Sequence, residues 1–286
     1  MQMISELESP TREERLETLR SIVRQEKYGA RAFPRTEEVN NHVHTHYSFS
    51  PYAPAHAAFQ AAAAGLQAVG SVDHDSIGAA GELREAAAIL GIGSTAGYEL
   101  RVNYDGTAME GRRLNNPDSK NIGYMVIHGV PAPAVSEAEA FLLPICEARN
   151  QRNRRQVEGV NRIIEDRDIP ALSFERDVRP LSLADEGGSI TERHILYALS
   201  FRLVGLFGRG ESLLSALERR FAITATGKIR ERLADPENPH YNYDLLGVLK
   251  SNFLPQFFLQ PSKAEAISVG EAVGFARRIG AIPAYA

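Results

Sequence analysis

The sequence predicts an α/β fold, because short apolar runs with the character of strands alternate with helical segments. The first run ends near Val43, and the next ones cover residues 68–73, 94–100 and 122–128. Their spacing of roughly 26 to 29 residues is that of one βαβ unit. Glycines follow the helical segments, and glycine supplies the left-handed cap at which helices commonly end. Together these features predict a parallel sheet or an α/β barrel.

These patterns divide the chain into four parts. A helix is predicted near residues 11–26, where Thr11 and Glu14 have the spacing of a capping box. After Pro144 the strand signals give way to arginine-rich and helical segments, and the alternation of helix and strand returns close to Ala286. We therefore predict a helical N-terminal extension (1–37), the first part of a barrel (38–144), an all-helical insertion (145–262) and a truncated return to the barrel (263–286).

The composition excludes several classes of protein. Apolar residues make up 43% of the chain and charged residues 24%, which is typical of globular proteins that bury a core. A net charge of −4 gives no general attraction to duplex nucleic acid or anionic lipid. The single cysteine, Cys146, allows no intrachain disulfide. Without a signal peptide or a long apolar run, we expect a cytoplasmic protein without membrane spans. The oligomeric state stays open.

Histidines are concentrated in one short segment of the first strand. The chain has eight histidines, and three of them, His42, His44 and His46, fall within five residues. Residues two apart on a strand point to the same face, so the imidazoles of His42 and His44 can reach one ion. A single histidine is more often an ordinary surface or core residue. A pair at the carboxyl end of a barrel strand favours a metal site.

The next three predicted strands also end in residues that can bind metal. The second ends in Asp73-His74-Asp75, the third in Glu99 and the fourth in His128. A charged Glu99 after apolar residues is costly unless a cation compensates it. That cation can be a metal ion, or the side chain of Arg101 or Arg112. A carboxylate among imidazoles can bridge two ions about 3.5 to 4 Å apart, as in two-metal phosphate ester hydrolysis.

The order of these motifs resembles one known family. The chain resembles the PHP (polymerase and histidinol phosphatase) family in four features that follow one another. These are the segments HVHTHYS (42–48) and DHDSIG (73–78), a lone glutamate, and a histidine after an apolar strand. The resemblance covers residues 38–130 and, more weakly, 265–286. It implies a distorted seven-stranded β/α barrel, here incomplete at its C-terminal end and interrupted by the helical insertion. It also implies a metal-dependent phosphoesterase.

The resemblance further implies a role for each site residue. His42, His44 and Glu99 would hold a first ion, Glu99 would bridge to a second ion held by His128, and His74 would belong to a third site. Asp73 would orient a ligand or bind beside it. The catalytic set implied is Asp73, His74 and Glu99, with two or three zinc, manganese or iron ions. These ions activate the water that attacks a phosphate monoester or diester.

Three departures from the family pattern remove metal ligands that the resemblance implies, at the third ion and, for the last motif, at the first ion as well. Phe49 stands where the family usually has an aspartate, and Tyr285 stands where its glycine-rich strand has a histidine. The family's last Asp-x-His motif does not occur before Ala286. We therefore expect two well-supported ions and a third site short of ligands. The chain is either a piece of a longer protein, which we favour, or a member whose barrel is incomplete.

The helical insertion supplies candidate substrate residues. Residues 190–199, ITERHILYAL, resemble a segment found in the insertions of some PHP family members. Those members act on nucleotide 3′,5′-bisphosphates or short RNA ends. Arg193 and His194 fall in the first turn of a predicted helix, where amide donors and the helix dipole favour an anion. The alternative is an exposed basic turn without a ligand.

Three functions stay open at this point. The first is a phosphoesterase acting on a phosphorylated small molecule or nucleotide. The second is an amidohydrolase, which also begins with His-x-His but needs a bridging lysine after a middle strand. No lysine falls at a predicted strand end before residue 263. The third is a metal-binding structural or regulatory module without activity.

Overall fold

A computed structural model describes residues 5–25 and 35–286. Residues 1–4 and 26–34 of the predicted N-terminal extension lie outside the described residues. The chain forms two compact units. The α/β unit contains the described residues up to Ala148, Leu183–Ser189 and Pro261–Ala286. The helical unit contains Arg149–Ser182 and Ile190–Gln260.

The α/β unit is built on one mixed sheet, which curls into a half-barrel. The main order is β1-β2-β3-β4-β6, and β5 pairs with the end of β3. Strands β1, β2 and β3 are parallel, whereas β4 runs antiparallel to both β3 and β6. The strand bounds are β1 Val39–Val43, β2 Ala68–His74, β3 Gly93–Asn103, β4 Ile122–His128, β5 Ile267–Ser268 and β6 Ile282–Tyr285.

The prediction of a parallel sheet is therefore correct for the first three strands and wrong for β4. A parallel return needs a crossover, which is usually a helix. Residues 104–121 form turns instead, with Gly106 and Gly111 at positive φ and an antiparallel bridge between Arg113 and Lys120. The connection thus brings the chain back beside β3 in the opposite direction.

Helices cover the outside of the sheet and make up most of the helical unit. Among the described residues, no helix is both long and apolar enough to cross a membrane. The predicted capping box of α1 is present, with Thr11 accepting from the Glu14 backbone amide. The helix bounds are α1 Arg12–Val23, α2 Pro54–Ala63, α3 Ala80–Leu90, α4 Val135–Ile164, α5 Glu192–Phe207, α6 Glu211–Phe221, α7 Gly227–Ala234, α8 Tyr241–Phe257 and α9 Val269–Arg278.

The two faces of β3 have different chemistry because successive strand residues point to opposite sides. Tyr98, Leu100 and Val102 belong to the apolar core that also includes α9 residues such as Phe275. The alternate residues of the strand are polar, and Glu99 is one of them. The polar face is where a site for an ion or a charged substrate can form.

The N-terminal segment is an integral part of the α/β unit. Leu16, Leu19 and Ile22 of α1 are buried in a core that they share with α2 and α3. Beside this core Arg15 donates to both carboxylate oxygens of Glu82, at 2.9 and 2.6 Å. Both side chains are almost fully buried.

Replacing Arg15 tests how much its ion pair with Glu82 contributes to the free energy of unfolding. Arg15→Met leaves the Glu82 carboxylate buried without its cation, so the free energy of unfolding should fall by about 3 to 5 kcal/mol. Arg12→Met, also on α1, removes an exposed pair with Glu85 of α3 and should cost at most about 1 kcal/mol. Urea denaturation of both variants measures the difference. Equal losses would show that the buried pair is not a principal contact.

Candidate metal centre

The sequence predicted that Glu99 lies at the end of a strand. In the structure it lies in the middle of β3. The strand continues to Asn103 because its last residues pair with the beginning of β4 and with β5. On β2 the residue opposite Glu99 is His74. The Glu99 side chain is only 7% exposed. A buried carboxylate in the middle of a sheet needs positive partners or a cation to balance it.

Three imidazoles surround one oxygen of this carboxylate. Oε2 of Glu99 lies 3.9 Å from Nε2 of His42 and 3.4 Å from Nε2 of His44. It lies 3.1 Å from Nδ1 of His74. Burial acts to raise the pKa of Glu99, but the hydrogen bond from His74 and the nearby histidines outweigh it and lower the pKa below its usual value. Glu99 is therefore held in its charged form, which is the form that binds a metal ion.

The geometry of this group fits a divalent metal ion. Ligand atoms of His42, His44 and Glu99 all lie within 4.8 Å of one another. Nitrogen and oxygen ligands at about 2.0 to 2.2 Å from a tetrahedral zinc ion are about 3.3 to 3.6 Å apart. Two imidazoles and a carboxylate are donors that zinc, iron and manganese all accept. These three residues can hold one metal ion.

The other two predicted ligands lie beside this group. The ring of His74 is 4.6 Å from that of His44, and the ring of His128 is 6.5 Å from that of His42. Burial and the neighbouring His42 lower the pKa of His128, so its imidazole stays neutral. Nδ1 of His128 is buried and makes no hydrogen bond to any of the described residues. The number and identity of the ions stay predictions.

Asp73 faces away from the cluster and holds the loop that follows His44. Its carboxylate accepts hydrogen bonds from the Thr45 amide, the Thr45 hydroxyl and the Ser48 hydroxyl, each at 2.6 Å. Oγ of Ser48 in turn lies 3.5 Å from Nδ1 of His44. Burial raises the pKa of Asp73, and these hydrogen bonds lower it in part. This placement suits the predicted role of orienting a ligand, while a direct catalytic role for Asp73 stays a prediction.

Thr45 and Ser48 are contributors that the sequence analysis did not identify. Their signal is the pair of short hydroxyl residues one and four positions after His44, next to a strand that ends in Asp73-His74. Because alternate residues of β2 point to opposite faces, His74 can reach Glu99 while Asp73 reaches this loop.

His46 and Phe49 lie in the same loop. A 3₁₀ turn, His46–Ser48, ends the alternation of the strand, so His46 does not share the face of His44. Burial, together with the charge of Arg15, lowers the pKa of His46 to about 4. Phe49 has a left-handed backbone, with a φ of 81°. His46 is therefore a neighbour of the N-terminal segment.

Arg101, which the sequence analysis considered as a partner of Glu99, forms an ion pair with Glu265. The ion pairs of Glu99 are with the histidines, whereas Arg101 donates to Glu265 at 2.8 Å. Both members of that pair are buried. The charge of Glu99 is thus left for the imidazoles and for a metal ion.

Arg193 and His194 belong to the helical unit, in the first turn of α5. Arg193 is exposed, whereas His194 is buried and its Nδ1 accepts a hydrogen bond of 3.0 Å from the Thr191 amide. Burial lowers the pKa of His194 to about 4. At neutral pH, Arg193 supplies the positive charge of this turn and His194 is uncharged.

Comparison with known proteins adds a fold-level similarity. No family model matches the sequence, and no curated protein does either. The chain is similar to the crystal structure of a proposed metal-dependent phosphoesterase from Bifidobacterium adolescentis, with 18% identity and a TM-score of 0.55. It is also similar to an amidohydrolase from Chromobacterium violaceum, with 19% identity and a TM-score of 0.55, whose structure holds sulfate and no metal.

Each similarity covers 87% of this chain and 66% of the solved chain. The chain thus spans just under two thirds of the length of these proteins. At this level of identity the similarity shows a shared fold. The chain therefore shares a fold with these two proteins, and membership of the PHP family stays a prediction.

Removing the carboxylate of Asp73 tests its hold on the His44 loop. Asp73→Ala leaves three donors without their acceptor, so the free energy of unfolding should fall by about 3 kcal/mol. Zinc affinity should fall roughly 10- to 100-fold, as for other residues that orient metal ligands. Asp73→Asn keeps the shape and one acceptor, so both losses should be smaller. Denaturation and a zinc competition titration measure them. Unchanged zinc affinity in Asp73→Ala would contradict this role.

The buried imidazole of His194 predicts a loss of stability in acid. Its pKa is lowered from 6.5 to about 4 on folding, so the unfolded chain binds a proton that the folded one does not. The stabilisation is complete above pH 6.5 and is lost as the pH falls toward 4. The loss is about 3 kcal/mol. His194→Gln should remove this part of the pH dependence, and His240→Gln, at an exposed position, should not. Parallel curves for wild type and His194→Gln would contradict the assignment.

Proposed function

We propose that the protein is a metal-dependent phosphoesterase, which hydrolyses a phosphate monoester or diester. The observation that carries the proposal is the position of Glu99 Oε2, which lies 3.1 to 3.9 Å from three imidazole nitrogens. This arrangement provides ligands for an ion on the polar face of the sheet. When bound, such an ion supplies a water molecule with a lowered pKa and a positive charge for the substrate oxygen.

The ligand assignment is the one that the family resemblance implies, and the spacing of His42, His44 and Glu99 supports its first ion. His42, His44 and Glu99 would hold the first ion. A second ion would share Glu99 and be held by His128, and His74 would serve a third. Asp73 keeps the loop after His44 in place through Thr45 and Ser48. The ions proposed are zinc, manganese or iron, since imidazole and carboxylate ligands accept each of these.

A phosphate substrate is favoured over an amide for two reasons. The motifs at 42–48 and 73–78 resemble phosphoesterases. An amidohydrolase needs a metal-bridging lysine after a middle strand, and no lysine falls at a predicted strand end before residue 263. We assign the binding of a substrate phosphate to Arg193 and His194, with Arg193 as the charged partner.

A metal-binding module without activity is the second candidate. Phe49 and Tyr285 stand where the family resemblance requires a carboxylate and an imidazole. Such a module would bind metal through His42, His44 and Glu99 and would lack phosphatase activity. The two candidates therefore agree on metal binding and differ in turnover.

Metal analysis combined with a substrate panel separates these candidates. Purified wild-type protein should contain at least one transition-metal ion per chain. His44→Ala and Glu99→Gln each remove a ligand, and both should lower zinc affinity at least about 10-fold. They should lower the hydrolysis of a generic aryl phosphate at least about 100-fold. His240→Ala removes an exposed histidine of the helical unit and should change neither quantity.

The panel contains an aryl phosphate, a phosphate diester and an aryl amide. Hydrolysis of the phosphates alone supports the phosphoesterase. Cleavage of the amide alone would favour the amidohydrolase, and bound metal without any turnover would favour the non-catalytic module. Protein that binds no metal would contradict all three.

A further inference from the structure

A seven-residue segment, Leu183–Ser189, belongs to the α/β unit although the residues before and after it belong to the helical unit. It forms a 3₁₀ turn, Ala184–Glu186, followed by two glycines. We call it the bridging segment. It contacts the loops that follow β1 and β2.

The bridging segment is hydrogen-bonded to both of these loops. The Ser189 amide donates to the Tyr47 carbonyl at 2.8 Å. The Ser76 hydroxyl donates to the Gly187 carbonyl at 2.6 Å, and it accepts a hydrogen bond from the Gly78 amide at 3.1 Å. Tyr47 is three residues after His44, and Ser76 is two residues after His74. The segment is thus bonded to the loop after each of these two histidines.

The approach is close enough to require glycine at one position. A Cβ atom on Gly188 would lie 2.9 Å from the Tyr47 carbonyl oxygen and 2.9 Å from the Leu183 carbonyl oxygen. Carbon and oxygen atoms do not approach to this distance without repulsion, and both neighbours are backbone. Any larger residue at this position would therefore push the segment away from the His44 loop.

We infer that the bridging segment positions metal ligands. It joins the loops after His44 and His74, and both imidazoles must lie near Glu99 Oε2, at 3.4 and 3.1 Å. A displacement of about 0.5 to 1 Å is enough to weaken a site that depends on such geometry. The inference rests on the proposed function, because it assumes that this cluster binds a metal ion.

Positioning also implies coupling in the opposite direction. If the segment stabilises the ligand geometry, a bound ion must stabilise the segment by the same free energy. The Ser189 amide, which donates to the Tyr47 carbonyl, should then exchange its hydrogen more slowly when zinc is bound. A segment that only packs against the loops would not respond to zinc.

Two variants and their controls test this inference. Gly188→Ala introduces the steric conflict, and Ser76→Ala removes one hydrogen bond without adding an atom. Gly205→Ala is the control for the first, because a Cβ there meets nothing within 4 Å. Ser251→Ala is the control for the second, because its hydroxyl donates to a backbone carbonyl in an exposed helix. The measurements are zinc affinity by chelator competition, the free energy of unfolding, and hydrogen exchange of residues 183–189 with and without zinc.

Zinc affinity should fall about 10- to 100-fold in Gly188→Ala, less in Ser76→Ala, and not at all in the controls. Zinc should slow amide exchange in the wild-type segment. The inference would be overturned if both variants bound zinc as tightly as wild type. It would also be overturned if zinc did not change amide exchange in the wild-type segment. Either result would leave the proposed function intact. A wild-type protein that binds no zinc, manganese or iron would overturn the proposed function and this inference with it. If Gly188→Ala does not fold, Ser76→Ala decides.

Discussion

The buried charge of Glu99 is the constraint on which the rest of the site depends. A carboxylate in the middle of a sheet can be tolerated only with positive or hydrogen-bonding partners around it. The sheet provides them, because the register of β2 and β3 places His74 opposite Glu99. A shift of one residue in that register would turn Glu99 toward the apolar core. The register of β2 and β3 therefore determines whether Glu99 can take part in the site.

The two faces of the sheet contribute to the site in different ways. On the polar face, His42, His44 and Glu99 meet. Asp73 anchors Thr45 and Ser48 from the opposite face. The bridging segment adds a hydrogen bond to the same loop through Tyr47 and another to the loop after β2 through Ser76. His42, His44 and His74 lie at or near strand ends, where backbone pairing alone does not fix a side chain. These contacts restrict the loops so that imidazoles can converge on one oxygen.

The sequence predicted that His42 and His44 can reach one ion, because same-face spacing depends only on neighbouring residues, and the family resemblance added Glu99. It also predicted the helical character of the second unit and the capping box of α1. The direction of β4 could not be predicted, because side-chain alternation is the same in parallel and antiparallel strands. The central position of Glu99 was missed since the extension of β3 depends on pairing with β5, which is more than 160 residues away in the chain. The roles of Thr45, Ser48 and Gly188 depend on contacts across loops that no local pattern indicates.

The most direct test of the account is a crystal structure of the protein grown with zinc, with the ion located by anomalous scattering at the zinc absorption edge. The account predicts an anomalous peak within about 2.0 to 2.2 Å of the Nε2 atoms of His42 and His44 and of a carboxylate oxygen of Glu99. No peak in this cluster at saturating zinc would contradict it.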